Sequence, residues 1–335
     1  MHPICVLLVF SFMSTLASSA SPTCVLKTVA ALLPKVSRHW VGDGFHVRPV
    51  FGRLAFTKHL SPFLMLDYAN EDFQPNQDPR RRKGVGQHPH RGFETVTLAF
   101  QGEIEHADNK GNRDVIKNGD AQWMTAGAGI VHEEFHGIEW AKQGGTVEMV
   151  QLWVNLPTRH KMTPANYQAL TKADIPRVEL RASSSSEPNQ ESSQASTSTT
   201  LGTLRVVAGA YNDAKGPGTT FSEMNVWDIN LSAMGQTVQL DVPDTHNTML
   251  LVRKGEIEVL DQNNVKTTIN SEQMVLFTMG EGNAINLVSN SDSSDVLLMS
   301  GVPFFDEPIA NRGPFVMNTN AELRQAQMDY QSGKF

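Results

Sequence analysis

Four side chains able to ligate a metal stand in two tightly spaced pairs: His88 and His90 flank Pro89, and His132 and Glu134 flank Glu133. Side chains at i and i+2 leave a β-strand on the same face, so each pair can bring both of its groups to one point. Together they would offer three imidazoles and one carboxylate, with coordination positions left open for water or substrate. That donor set suits a mononuclear non-haem centre holding one divalent metal ion. Iron(II) is the expected occupant, although manganese, cobalt, nickel, copper and zinc accept the same ligands. Imidazole ligands also need a partner for the second ring nitrogen, and Glu94, Glu133, His106 and His136 are close enough in sequence to supply one. Glu94, four residues after His90 and nominally on the same strand face, is also an alternative carboxylate ligand. A lone His-x-His is commonly a surface or turn feature. The second pair gives the pattern its weight, with His136 beside it and the glycine-rich turn Thr125–Gly129 leading into it.

Such pairs need rigid strands to carry them, and the surrounding sequence reads as strands. Thr95–Phe100, Gly102–Glu105 and a polar turn at Asp108–Asn112 give the pattern of an antiparallel meander. Downstream, Met249–Arg253, Gly255–Leu260, a turn at Asp261–Asn264, Thr267–Ile269 and Met274–Thr278 repeat the order. Gly-Glu-Ile-Glu occurs at the same point of each, starting at Gly102 and Gly255, so two copies of one β-barrel module are the economical reading. The second copy has no His-x-His, and His246 stands alone there; its site is expected to be degenerate. Between the copies, residues 181–200 form a Ser/Thr/Gln/Glu tract with few side chains able to fill a core, which reads as a disordered linker. At the end of the chain, Thr319 and Glu322 have capping-box spacing. Leu323, Ala326 and Tyr330 follow at helical intervals, and Gly333 stands where a C-terminal cap belongs.

With 335 residues, 40% of them hydrophobic and 19% charged, the chain has the composition of a globular protein with room for two cores. A net charge of −7 argues against direct nucleic-acid binding through bulk electrostatics, and the one basic run, Arg80 to Lys83, reads as a solvated loop. The first twenty residues carry an apolar stretch from Ile4 to about Leu16, followed by Ser18 and Ala20 placed as a cleavage site requires. Residues 1–20 therefore read as a signal peptide, too short and broken for a permanent membrane anchor. The expected location is secreted or periplasmic, with a cytoplasmic or nuclear protein as the alternative. Cys5 and Cys24 are the only cysteines, and cleavage would leave a single thiol, so no intramolecular disulfide is expected in the mature chain.

Three segments carry a family resemblance. HPHRGFETVTL from His88, GDAQWMTAGAGIVHEE from Gly119 and RQAQMDYQSGKF from Arg324 resemble the signature segments of pirin, a two-barrel member of the cupin superfamily, and the likeness runs from about Arg38 to Phe335. It implies an all-β fold of two tandem cupin-type antiparallel β-barrels, a bicupin, with a short C-terminal helix. The expected divisions are a metal-binding barrel over 38–180, the linker, a second barrel over 201–305, and a tail with helix over 306–335. The resemblance selects His88, His90, His132 and Glu134 as ligands, favouring Glu134 over Glu94. It implies two activities of different kind. One is quercetin 2,3-dioxygenase chemistry on a flavonol-like aromatic substrate and O2, with Glu134 taking a hydroxyl proton. The other is redox-dependent regulation of transcription factors through a protein partner; a metal protein without catalysis is a third reading. Phe93, Trp123, Met124, Phe135 and Trp153 are the apolar side chains available to wall a pocket.

Overall fold

The structure, a computed structural model, describes residues 24–52, 57–76, 78–182 and 199–335. The expected signal peptide and most of the Ser-rich tract lie outside the described residues. Cys24 is exposed and free.

Twelve strands precede the second repeat: β1 (Val29–Leu33), β2 (His39–Val41), β3 (Phe45–Phe51), β4 (Phe63–Phe73), β5 (Gly84–His90), β6 (Phe93–Gln101), β7 (Ile104–Asp108), β8 (Arg113–Ile116), β9 (Ala121–Thr125), β10 (Ile130–His136), β11 (Gly145–Asn155) and β12 (Asn166–Leu170). A seven-stranded sheet in the order β12-β9-β6-β11-β4-β3-β2 faces a four-stranded sheet in the order β5-β10-β7-β8, and the two enclose the first barrel. The second barrel repeats this plan. Its four-stranded sheet comprises Thr237–Asp241, Ala284–Ser289, Glu256–Leu260 and Lys266–Asn270, and its seven-stranded sheet runs from Arg177–Arg181 at one edge to β1 at the other. The fold is therefore the all-β bicupin that the sequence implies. The corresponding edge of the first barrel is β12, so the second barrel borrows its last strand from the start of the described chain: Leu33 pairs with Met274 and Val29 with Phe277.

The repeated Gly-Glu-Ile-Glu has a structural cause. Gly102 and Gly255 both have φ near +80° (84° and 79°), a left-handed conformation that lets a β-hairpin reverse tightly and that any side chain would strain. The polar turns are closed by their aspartates: Asp108 Oδ1 accepts from the backbone N–H of Lys110 and Asn112, and Asp261 Oδ1 from those of Asn263 and Val265.

The two seven-stranded sheets pack face to face. Leu66, Tyr68, Val96, Trp123 and Leu152 from the first meet Met249, Leu251, Leu297 and Met299 from the second in one continuous core. A buried ion-pair network crosses this interface: Arg253 donates to Glu148 at 2.5 Å and to Asp228 at 2.9 Å, with its guanidinium over the Phe100 ring. The two barrel interiors differ. Among the described residues the second is filled by 21 buried apolar side chains, whereas the corresponding cluster in the first has nine and leaves space beside the histidines.

The closing helix, Asn320–Gln331, begins with the expected capping box of Thr319 and Glu322, and Gly333 has φ +72° just past its end. Its inner face is Leu323, Ala326 and Asp329, whereas Tyr330 is 36% exposed. The helix docks on the first barrel through an ion pair, and Asp329 takes the inward place to meet Arg91 at 2.9 Å. Among the described residues no helix is long and apolar enough to cross a membrane.

Candidate metal centre

β5 and β10 are neighbours in the small sheet, with His132 directly opposite His88 and Ile130 opposite His90. The register slips between His132 and Glu134, where Gly86 and Gln87 make β5 one residue longer than its partner. A bulge of this kind re-aims side chains near a site. The three imidazoles consequently converge, with one ring nitrogen from each lying within 4.8 Å of the others. The loop after His90 is shaped for close approach: Gly92 has φ +86°, and a Cβ there would collide with the Val316 carbonyl.

Each imidazole is turned by a bond to its Nδ1. His88 Nδ1 lies 2.9 Å from the Gly86 carbonyl, and His90 Nδ1 lies 3.3 Å from the Pro314 carbonyl. A carbonyl can only accept, so both rings carry a proton on Nδ1 and leave the Nε2 lone pair bare. His132 Nδ1 lies 3.4 Å from His106 Nδ1, and His106 Nε2 lies 3.2 Å from Asp108 Oδ2, with both side chains of that pair fully buried. Asp108 thus fixes the proton on His106 Nε2, His106 Nδ1 accepts from His132, and His132 Nε2 is left as a buried nitrogen without a partner. Burial, followed by the charge of His88, lowers the pKa of His90 to about 3, and burial together with the neighbouring histidines holds His132 well below its ordinary value. Three imidazoles with free Nε2 atoms, His90 and His132 held neutral by burial, fit the requirements of a divalent cation.

Glu134 lines the same cavity but stands outside the three-histidine group. Its Oε1 accepts from Thr97 Oγ1 and from Gln122 Nε2, both at 3.2 Å. Oε2 has no hydrogen bond to any described residue and is the atom available to a metal or a proton. Glu94 does not share the face of His90. β6 starts anew after the Arg91-Gly92 turn and directs Phe93 and Thr97 toward the site. Glu94 points the other way with Val96 and Leu98, into the core between the barrels, where its Oε1 accepts from Thr125 at 2.7 Å. This removes the reading of Glu94 as a ligand or as a partner of the histidines. Glu133 lies on the alternate face of β10, and His136 is spent on the Gly44 carbonyl at 2.8 Å, leaving His106 as the orienting group.

The cavity beside the histidines has a volume of about 470 Å³ and is walled by Val41, Phe45, Val47, Met65, Met149 and Trp153, with Asp67 and Gln151 as further polar groups. Of the aromatic side chains foreseen, Trp153 lines it and Phe93 backs it, with ring centres 4.3 Å apart. Trp123 belongs to the core between the barrels, Met124 packs with Ala126 and Ile130, and Phe135 carries the Arg82 guanidinium on its ring. Within the basic run, Arg80 and Arg81 are solvated as expected, whereas Arg82 pairs with Glu105 and Lys83 lies over Trp40 and Phe73. In the second barrel His246 is buried against Ser300, with no second histidine beside it among the described residues. Asp67, Thr97, Asp108 and Gln151 were not foreseen as parts of the site. Alternation along β4 and β11 puts Asp67 between Met65 and Ala69 and Gln151 between Met149 and Trp153, polar residues flanked by apolar ones on the inward face.

Family models match both halves: Pirin over residues 44–154 and the Pirin C-terminal cupin domain over residues 226–335. The chain belongs to the pirin family. A Pseudomonas aeruginosa protein provisionally named quercetin 2,3-dioxygenase is 45% identical over 311 residues, covering 92% of this chain and 99% of that one. Pirin-1 of Arabidopsis thaliana is 34% identical over 320 residues, covering 96% and 97%. The crystal structure of a quercetin 2,3-dioxygenase from Acinetobacter baumannii matches with a TM-score of 0.81 at 44% identity, over 93% of this chain and 99% of that one. The match therefore extends through both barrels and the C-terminal helix of this pirin.

Proposed function

We propose that this chain is a mononuclear non-haem metal protein that opens the heterocycle of quercetin-type flavonols with dioxygen. The observation that carries the reading is the meeting of three imidazoles, each with Nε2 free, beside a largely apolar cavity of about 470 Å³. His88, His90 and His132 would hold the ion, with Glu134 Oε2 as the fourth donor. Iron(II) is the expected metal, and when bound it would lower the pKa of a chelating hydroxyl and support electron transfer to dioxygen. The apolar walls match the faces of a flat aromatic ligand and exclude water from them. Glu134 holds Oε1 on Thr97 and Gln122, so Oε2, on leaving the metal, could take the proton of the flavonol hydroxyl without the side chain losing its anchor. Similarity to quercetin 2,3-dioxygenases at 44–45% identity supports the choice of substrate class.

The test loads purified protein anaerobically with iron(II), manganese, cobalt, nickel or copper in turn, then follows quercetin loss and carbon monoxide release in air. Stoichiometric carbon monoxide is the expected result. The alternative implied by the family, a redox-responsive regulator acting through a protein partner, expects retained metal and no carbon monoxide from any loaded form. Replacement of His88 and His132 by alanine should abolish metal retention; unchanged metal content would remove the site assignment.

A further inference from the structure

One row of residues runs straight across the large sheet of the first barrel. Asp67 on β4 pairs with Gln151 on β11, Gln151 with Thr97 on β6, and Thr97 with Gln122 on β9. The side chains are joined at one end: Thr97 Oγ1 lies 2.7 Å from Gln151 Oε1, Gln122 Nε2 donates to Thr97 Oγ1 at 3.0 Å, and Gln122 also reaches Glu134. Asp67 occupies the other end. It lines the cavity among Val47, Met65 and Met149, and its carboxylate makes no hydrogen bond to any described residue. Adjacent strands lie 4.7–4.9 Å apart, so Asp67 is two spacings, or about 10 Å, from the Thr97 position that holds Glu134.

A half-buried carboxylate in a mostly apolar wall is poorly hydrated, and a ligand that supplies a donor there is favoured. Burial pushes the Asp67 carboxyl up to about 6, and His39 offsets only part of this. We infer that Asp67 is a substrate-binding residue that accepts a hydrogen bond from a phenolic hydroxyl on the ring remote from the metal. The ligand class is then a flat polyhydroxylated aromatic that chelates at the histidine end and reaches across the sheet to Asp67, a span that a three-ringed flavonol covers. This assignment rests on the flavonol reading of the same cavity and adds which hydroxyl the site selects.

Two probes isolate that hydroxyl. Quercetin and 3-hydroxyflavone share the chelating 3-hydroxyl and 4-carbonyl, but only quercetin carries hydroxyls on the outer rings. Binding of each to zinc-loaded protein is measured by fluorescence titration for wild type, Asp67→Asn and Asp67→Leu, with zinc content and melting temperature as controls. Wild type should prefer quercetin by tenfold or more. Asp67→Leu should lose that preference while keeping its zinc and its affinity for 3-hydroxyflavone within about twofold, and Asp67→Asn, which keeps an acceptor but no charge, should fall between. A preference unchanged in Asp67→Leu, or absent in wild type, would overturn the assignment of Asp67 and leave the dioxygenase reading standing if carbon monoxide is formed. Loss of the preference in Asp67→Leu without carbon monoxide from any wild-type loaded form would uphold Asp67 and sink the dioxygenase. Wild type that binds neither flavonol would overturn both.

Discussion

Replacing His106 by leucine should loosen the metal without touching a ligand. His106 Nδ1 is the acceptor for His132 Nδ1 at 3.4 Å, in a place where both rings are fully buried and water cannot replace it. Leucine would leave the His132 N–H unpaired, at a cost of about 1–3 kcal/mol. The observed separation is longer than the ordinary 2.7–3.2 Å of a hydrogen bond, so the lower half of that range applies. At 1.4 kcal/mol per decade, this amounts to an affinity loss of roughly 5- to 30-fold. Zinc affinity is measured by competition with a chromophoric chelator at pH 7.5. His106→Gln, which can still present an acceptor, should recover most of the loss. Asp108 keeps its hydrogen bonds from Lys110 and Asn112, so the turn should remain folded in both variants. Zinc affinity of His106→Leu within twofold of wild type would refute the argument that the buried pair orients His132.

Other consequences lie away from the metal. Burial raises the Glu94 carboxyl from 4.5 to about 7 in the folded chain, so stability is full below about pH 4.5, falls as the unfolded state ionises first, and levels off above about 7, for a total of about 3 kcal/mol. Glu94→Gln should therefore flatten the melting profile between pH 4.5 and 7 and melt above wild type at pH 8; parallel profiles would contradict this. Arg253→Met would leave Glu148 and Asp228 without their shared guanidinium, and unfolding in urea should show a loss of about 3–5 kcal/mol. A change below 1 kcal/mol would mean that the network is not a net tie between the barrels.

The ligand triad was legible because a strand obeys a period of two, and both pairs sit on strands with that period intact. The same rule misplaced Glu94, because counting four residues on from His90 assumes one uninterrupted strand. The positive-φ glycine at 92 breaks it into β5 and β6 and resets the faces. Gly102 and Gly255 were readable as repeat markers since a left-handed turn leaves little choice of residue. The partner of His132 could only be narrowed to four candidates. Choosing His106 requires the pairing of β10 with β7, which puts Glu134 opposite His106 and His132 opposite Asp108. Tyr330 follows Leu323 and Ala326 at a helical interval, but the third inward place on the last helix goes to Asp329, which a buried Arg91 demands. No local pattern announces that β1 belongs to the second barrel, because the pairing joins opposite ends of the sequence.

That borrowed strand bears on how the chain is made. The ribosome releases β1 before any strand of the first barrel, yet the strand it pairs with, Gln273–Phe277, emerges only after that barrel's last strand. The first barrel has all its strands by Leu170 and can close while translation continues, but the Pro314 carbonyl that turns His90 arrives only with the tail. The second barrel can finish only when a segment made before the first barrel finally finds its edge. A nascent chain arrested before Met274 would carry β1 as an unpaired strand, a natural target for chaperones and for exchange with a neighbouring copy.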